Sequence, residues 1–390
     1  MLRRGNLGLV AVASLGVLGL CGSAPAGYLV AWGGNADGQC DVAAGYDFVA
    51  IAGGASYGVA LRADGSLAAW GNNEDGQTDV PAGNDFVDVA AGYTHGLALR
   101  ADGSLAAWGN DEWFQCRVPA GNDFAGIAAG MFHSVALKAD GSLVAWGSRS
   151  HGQCDVPSGN DFVGIASGWY HNLALKSDGS VVAWGFNDLG QCDVPEGNDF
   201  AAVSTGWFHS LALKSDGSLA AWGHKNKGQC NVPPGNDFVD IAGGKFHSIA
   251  LKFDGSVTAW GGNNQGQIDV PAGNNFVAIA AGESHSLTLA LGPVDIAAAE
   301  IEQAVAEKKE ALARIDAALA REWAAYEVLG EFLESGKCTK ANKGAIVRAK
   351  QRIHSAIQSQ EQSRAALDKG IAELRDSLAA LGLEPGPVQE

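Results

Sequence analysis

FVDVAAGYTHGLALRADGSLAAWG, residues 86–109, decides how this chain folds. It holds three short apolar runs that alternate or nearly alternate with small and polar residues, the pattern of half-buried strands rather than of a helix. Asp102-Gly103 stands between the second and third runs, and Asp-Gly is a strong hairpin signal because both residues tolerate positive φ. The stretch recurs. Trp32, Trp70, Trp108, Trp146, Trp184, Trp222 and Trp260 lie 38 residues apart, and Asp-Gly pairs recur at Asp64, Asp140, Asp178, Asp216 and Asp254. A fixed period of this length marks units that cannot bury their apolar faces alone and must stack. A second turn, Pro-x-Gly-Asn as at Pro81 and Pro157, closes each copy, giving a three- or four-stranded antiparallel meander.

The ends of the array are unequal. A Trp-type strand, Tyr28 to Trp32, stands first with no strands before it, and the last copy, Phe276 to Leu291, stops short of its own. Pairing them completes a seventh blade and removes both exposed sheet edges. The expected fold is an all-β seven-bladed β-propeller over residues 27–292, with an open solenoid as the rival.

The copies read Gly-x-x-His-Ser-x-Ala-Leu-Lys-x-Asp-Gly-Ser-x-x-x-Trp-Gly, followed by Gly-Gln. This resembles the regulator of chromosome condensation repeat family, a resemblance that implies a seven-bladed propeller. The short spacing is closer to bacterial secreted members, among them the propeller-type β-lactamase inhibitory protein, and implies partner binding through one set of loops. The nucleotide-exchange members carry a wedge inserted in longer repeats. No copy here has an insertion, so exchange activity is not carried over.

Charge narrows the partners. Residues 27–292 hold 27 acidic and 11 basic side chains, which repel a phosphate backbone, so nucleic acid is not expected. Residues 1–26 read as an export signal: Arg3 and Arg4, an apolar run from Leu7 to Leu20, then Ala24-Pro25-Ala26. An uncleaved anchor would need a longer run, and lipidation at Cys21 a smaller residue than Leu20 before it. The protein is expected to be exported, with no membrane span after cleavage.

On a seven-fold ring, residues present in every blade are scaffold, and function belongs to the exceptions. His95, His133, His171, His209, His247 and His285 share one slot, with Tyr57 in the seventh. One histidine per blade suits a buried imidazole bonding backbone between blades, not a metal cluster. The serines that follow, such as Ser134 and Ser210, recur too and lack the unique base a nucleophile needs. Cys40, Cys116, Cys154, Cys192 and Cys230 share a slot with Thr78 and Ile268, which suggests packing and free thiols. Asn35-x-Asp37-Gly38 and Asn73-x-Asp75-Gly76 look like part of a calcium loop, but Leu189 and Lys227 stand in the matching positions, so turn chemistry explains them better. No cofactor or metal is expected.

Strand parity places the residues before each His and the loops after each Trp-Gly on one face, where the copies disagree. The candidate partner-binding residues there are Tyr93, Trp113, Phe114, Met131, Phe132, Trp169, Tyr170, Phe186, Trp207, Phe208, Lys245 and Phe246. Aromatic residues with a polar rim mark interaction sites. The competing reading tucks part of them between blades as core. The expected function is non-catalytic binding of a protein partner. Carbohydrate binding by the same aromatics is one alternative. The other is a propeller lyase or hydrolase using Glu112, His151, Asp188 and His224.

After Gly292 the composition turns to Ala, Glu, Lys and Leu. Ile301, Val305, Leu312, Ile315, Leu319, Tyr326 and Leu333, then Ile346, Ile353, Ile357, Leu367, Ile371, Leu374, Leu378 and Leu381, step by threes and fours. Residues 293–390 are expected to form an antiparallel, coiled-coil-like helical hairpin. Gly336 would stop its first helix and Thr339 cap its second, and it could self-associate.

Overall fold

A computed structural model describes residues 26–335 and 340–380. The expected export signal therefore lies outside the described residues, as do Gly336, Cys338, Thr339 and Leu381. The chain forms two compact units, one ending at Gly292 and one starting at Pro293.

The first unit consists of seven three-stranded antiparallel sheets. The first strand, β1 (Tyr28–Gly33), belongs to the last blade. Blade 1 is β2 (Phe48–Gly53), β3 (Tyr57–Arg62) and β4 (Leu67–Gly71), and blade 2 is β5 (Phe86–Ala91), β6 (His95–Arg100) and β7 (Leu105–Gly109). Blades 3 to 6 repeat this order from β8 (Phe124–Ala129) to β19 (Val257–Gly261), and blade 7 adds β20 (Phe276–Ala281) and β21 (His285–Ala290). In every blade the Phe-strand is innermost, the His-strand central and the Trp-strand outermost. There is no fourth strand.

Blade 7 closes the ring. β1 pairs with β21 from Tyr28 opposite Ala290 to Gly33 opposite His285. The flank of blade 7 then packs on blade 1, with Leu287 and Leu289 against Phe48, Ala60 and Trp70. The same packing recurs at each seam: Leu97 and Leu99 of blade 2 meet Phe124, Ile127, Ala136 and Trp146 of blade 3. The core therefore lies between blades, not within them. Each fully buried Leu or Ile contributes about 2 kcal/mol, available only once the neighbouring blade is in place.

A polar ladder runs beside this core. Each repeated Trp indole donates to the main-chain carbonyl of a Gln in the loop of the preceding blade, as Trp146 does to Gln115 at 2.8 Å. The serine at the next slot donates to the same carbonyl, Ser134 to Gln115 at 2.9 Å. That hydroxyl in turn accepts from the histidine of the preceding blade, His95 Nε2 at 3.1 Å. Because the serine proton is committed to the carbonyl, Nε2 must carry the imidazole proton. Asn172 replaces serine opposite His133 with the same logic, its amide donating to Gln153 and its oxygen accepting at 2.7 Å. The imidazoles were expected to bond backbone. Five of the six instead bond a side chain of the next blade through Nε2, because Ser and Asn at that slot reach both the ring and the carbonyl; the slot that follows His285 is Gly58, and His285 has no such partner.

The lower face carries a second repeated device. In blades 1 to 6 a β-bulge after the Phe brings the base at the end of the central strand over the ring, as Arg100 lies 4.4 Å from the Phe86 centroid and 2.5 Å from Asp85; in blade 7 Ala290 takes the place of the base. The Asp-Gly turns are fixed by their own carboxylates, as Asp102 accepts from the Ser104 amide and hydroxyl.

The second unit is an antiparallel helix pair, α1 (Pro293–Glu334) and α2 (Lys340–Ala380). Asp316 pairs with Arg364 at 2.7 Å, Glu322 with Gln360 at 3.3 Å, and Tyr326 lies against His354 and Lys350, so the helices run in opposite directions. Ile357 and Ile371, two of the expected seam positions, are buried. Trp323, off that seam, is exposed. Among the described residues, no helix is long and apolar enough to cross a membrane.

Burial drives the six imidazoles down to a pKa of about 3 to 4, from an ordinary 6.5. It pushes Asp88 and Asp240 up to about 7. As pH falls below 6.5, the unfolded chain takes up six imidazole protons that the folded ring refuses, each worth about 1.4 kcal/mol per pH unit. The two aspartates act in the opposite sense, since the folded state binds their protons first, and they are outnumbered. Stability measured by urea unfolding is therefore expected to drop by several kcal/mol between pH 7 and pH 4.5; a flat profile would contradict the buried neutral histidines.

Candidate binding face

Two sets of loops meet on the upper face: the Gly-x-x turns between inner and central strands, and the loops after each Trp-Gly. Their backbones are fixed before any side chain is considered. The residue two before each histidine slot donates its amide to the next blade's turn: Met131 to Trp169, Trp169 to Trp207, Lys245 to Glu283, Glu283 to Ala55, Ala55 to Tyr93. Tyr93 donates to Gly130 and Trp207 to Gly244, which completes a belt through all seven blades. Each outer loop is clamped by its Gln, whose Oε1 accepts the amide two residues earlier, as Gln115 accepts from Trp113 at 2.8 Å. The cysteines brace the same loops. Cys154 Sγ donates to the Ser148 carbonyl at 3.1 Å, and the other four thiols make the equivalent bond. Burial raises these thiols to about 11 or 12, so they are packing groups, not nucleophiles. Asn35 and Asn73 bond the Asp41 and Asp79 carboxylates and their own loops, the turn chemistry expected of them.

On this frame the sequence-predicted aromatics form one connected network. Trp113 contacts Phe132, which contacts Tyr93 and Tyr170. Tyr170 stacks on Trp169 with 11° between the planes, and Trp169 meets Trp207 at 4.3 Å and Phe208 at 4.6 Å. His151 joins Tyr170 to Phe186, and His224 joins Phe208 to Phe246. Tyr93 on blade 2 touches Trp207 on blade 5, so the network reaches across the channel mouth. Most of these rings are half-buried, neither sealed between blades nor free. The Trp169 indole N–H is buried with no acceptor among the described residues. Met131 lines the mouth with Tyr93, Trp169 and Trp207. Beneath it the inner strands enclose about 190 Å³, with Asp88, Ser167, Ser204 and Thr205 on the wall.

Phe114 is placed differently. It is 53 % exposed, its neighbour Trp113 is 48 % exposed, and the Arg117 guanidinium lies 3.8 Å from the Phe114 centroid. Among the described residues it is also the one non-glycine with positive φ, at 66°. The other copies hold Gly38, Gly76, Gly152, Gly190, Gly228 and Gly266 at this turn, with φ between 73° and 83°. A left-handed phenylalanine costs about 1 kcal/mol or more relative to glycine. Strain retained at an exposed ring points to a role for that ring. The signal was present in the sequence, where Phe occupies a slot that is Gly in every other copy.

Among the described residues no hydrogen bond or ion pair joins any two of the polar residues weighed for catalysis. Glu112, His151, Asp188 and His224 stand on four successive blades, and both histidines are engaged with aromatic rings. Among the described residues, no three His, Cys, Asp or Glu side chains are grouped to hold a metal ion. Sequence reading missed the backbone belt and the inner-strand Asp88 and Asp240. It also missed the ion pair of Lys245 with Glu283, 2.5 Å across the seam between blades 6 and 7.

Comparison with known proteins agrees with the geometry. The regulator of chromosome condensation (RCC1) repeat matches residues 40–77, 86–112, 124–153, 162–191, 200–229 and 238–267. The propeller is built of regulator of chromosome condensation repeats. Among solved structures, Prp20p from Saccharomyces cerevisiae, described with its binding to Gsp1p and histones, is similar over 73% of this chain and 94% of its own. It has 18% identity and a TM-score of 0.58. Human WBSCR16 is similar over 68% and 99%, with 18% identity and a TM-score of 0.58. The receptor kinase CR4 ectodomain from Physcomitrella patens is similar over 63% and 72%, with 24% identity and a TM-score of 0.54. At these identities the likeness shows the fold. No curated protein matches the chain by sequence. Replacing Phe114 by Gly is expected to raise unfolding stability by about 1 kcal/mol, because the turn strain goes and little packing is lost; destabilisation in thermal or urea melts would show that the ring is structural.

Proposed function

We propose that this chain is an exported, non-catalytic propeller that binds a protein partner through its aromatic face. The repeat family supports a protein-interaction module. The connected aromatic network carries the finer reading: half-buried rings centred on Trp169 and Trp207, rimmed by charged loops, and ending in the two exposed rings of Trp113 and Phe114. Rigid aromatic anchors lose little entropy on binding and supply most interface energy. The backbone belt keeps them preorganised, which lowers the cost of association. Arg3, Arg4, the apolar run to Leu20 and the Ala-Pro-Ala site support export. The Kap60 bound to yeast RCC1 (Prp20) is a protein partner of a similar propeller, and the class of partner, not its identity, is taken over here.

Capture from the secreted fraction of the native host should yield a protein that binds the wild-type propeller stoichiometrically. Trp113→Ala is expected to weaken that complex by about tenfold or more, and the Trp169→Ala, Trp207→Ala double variant to abolish it. A complex indifferent to all three changes would remove the site. Binding of glycans on an array in place of protein would move the same aromatics to carbohydrate recognition.

A further inference from the structure

The ring of positions two before each histidine slot is divided. On blades 2 to 5 it holds Tyr93, Met131, Trp169 and Trp207; on blades 6 and 7 it holds Lys245 and Glu283; on blade 1 it holds only Ala55. Lys245 does not extend into solvent. Its Nζ stands 4.2 Å from the Trp207 centroid and 2.5 Å from Glu283 Oε1, and the two side chains are 27% and 25% exposed. An indole face backed by a carboxylate is a seat for a cation, and the protein fills it with its own.

On its blade 7 side the seat is surrounded by acidic groups, while blade 5, which supplies Trp207, carries Lys225 and Lys227 on its outer loop. The Tyr93 phenol is pushed above its ordinary range first by burial and then by the charges of Glu283 and Asp75. The outer loops of blades 7, 1 and 2, residues 34–40, 72–78 and 110–116, carry Asp37, Glu74, Asp75, Asp111 and Glu112 and no Lys or Arg; Arg117, which follows directly, is paired with Asp111. Basic residues of the rim, such as Arg149 and Lys227, stand on blades 3 and 5. Ala55 and Ser56 leave blade 1 without a long side chain between Glu283 and Tyr93.

We propose that this seat receives a lysine or arginine side chain of the protein partner, and that Lys245 is its stand-in in the free protein. This rests on the aromatic face being the partner-binding surface. The incoming ammonium or guanidinium meets the Trp207 ring and the Glu283 carboxylate while Lys245 swings out on its flexible stem. One cation replaces another, so Glu283 is not left as an unpaired, partly buried charge. The acidic arc steers a basic segment towards the mouth and repels an acidic one.

The test uses n-butylammonium chloride as the probe, titrated calorimetrically at constant ionic strength into the full chain. With the seat vacated, Lys245→Ala is expected to bind it at least about fivefold more tightly than wild type, and adding Glu283→Gln to remove the gain. Lys245→Ser stands in if the alanine variant fails to fold. Binding within about twofold of wild type, or a gain that survives Glu283→Gln, would overturn the proposal. Neither outcome involves a partner, so it leaves the aromatic-face reading to its own test at Trp113.

Discussion

Each apolar core cluster of this propeller spans two neighbouring blades, so the fold depends on the ring being closed. A blade alone is a three-stranded sheet with two unsatisfied apolar faces. In the ring, each face is covered by its neighbour, and the last face by the first. The closing pair, β1 on β21, is what makes this possible, because it gives blade 7 its outer strand and joins the two ends of the propeller in one sheet. The seam from blade 7 to blade 1 is also where the polar ladder is thinnest. Gly58, like Gly96 at the next seam, stands where the other five seams have Ser or Asn, and His285 Nε2 has no partner among the described residues. Packing of Leu287 and Leu289, the Trp70 to Gln39 bond and the backbone belt carry that seam.

Closure also separates scaffold from function. The Trp, His, Gln and Cys slots are spent on holding blades and loops, and the neutral imidazoles and high-pKa thiols are chemically quiet as a result. The upper face is left free to vary because its backbone is fixed without help from its side chains. Bulky residues gather on blades 2 to 5, charged ones on blades 6 and 7, and one turn tolerates a left-handed phenylalanine. The result is a rigid platform with an asymmetric pattern, which suits recognition of a single partner better than it suits chemistry.

Much of this was legible in the sequence. The 38-residue period, the Asp-Gly turns and the unequal ends of the array were enough for seven blades and their closure. Parity along three short strands placed Tyr93, Trp169 and Trp113 on one face, where Phe132 and Trp207 link their rings. What sequence could not supply was distance across the ring. Tyr93 and Trp207 are far apart in the chain and three blades apart in order, yet touch over the channel. The Lys245–Glu283 pair spans a whole repeat, and a side-chain partner for each histidine depends on how neighbouring blades are rotated.

Hydrogen exchange at the closing strands tests ring closure most directly. If the termini seal the toroid, the amides of Leu29 to Trp32 and of Leu287 to Leu289 exchange as slowly as those of central blades, and only through global unfolding. Fast exchange at β1 with protection retained elsewhere would mean an open array, and the shared inter-blade core would no longer account for the fold.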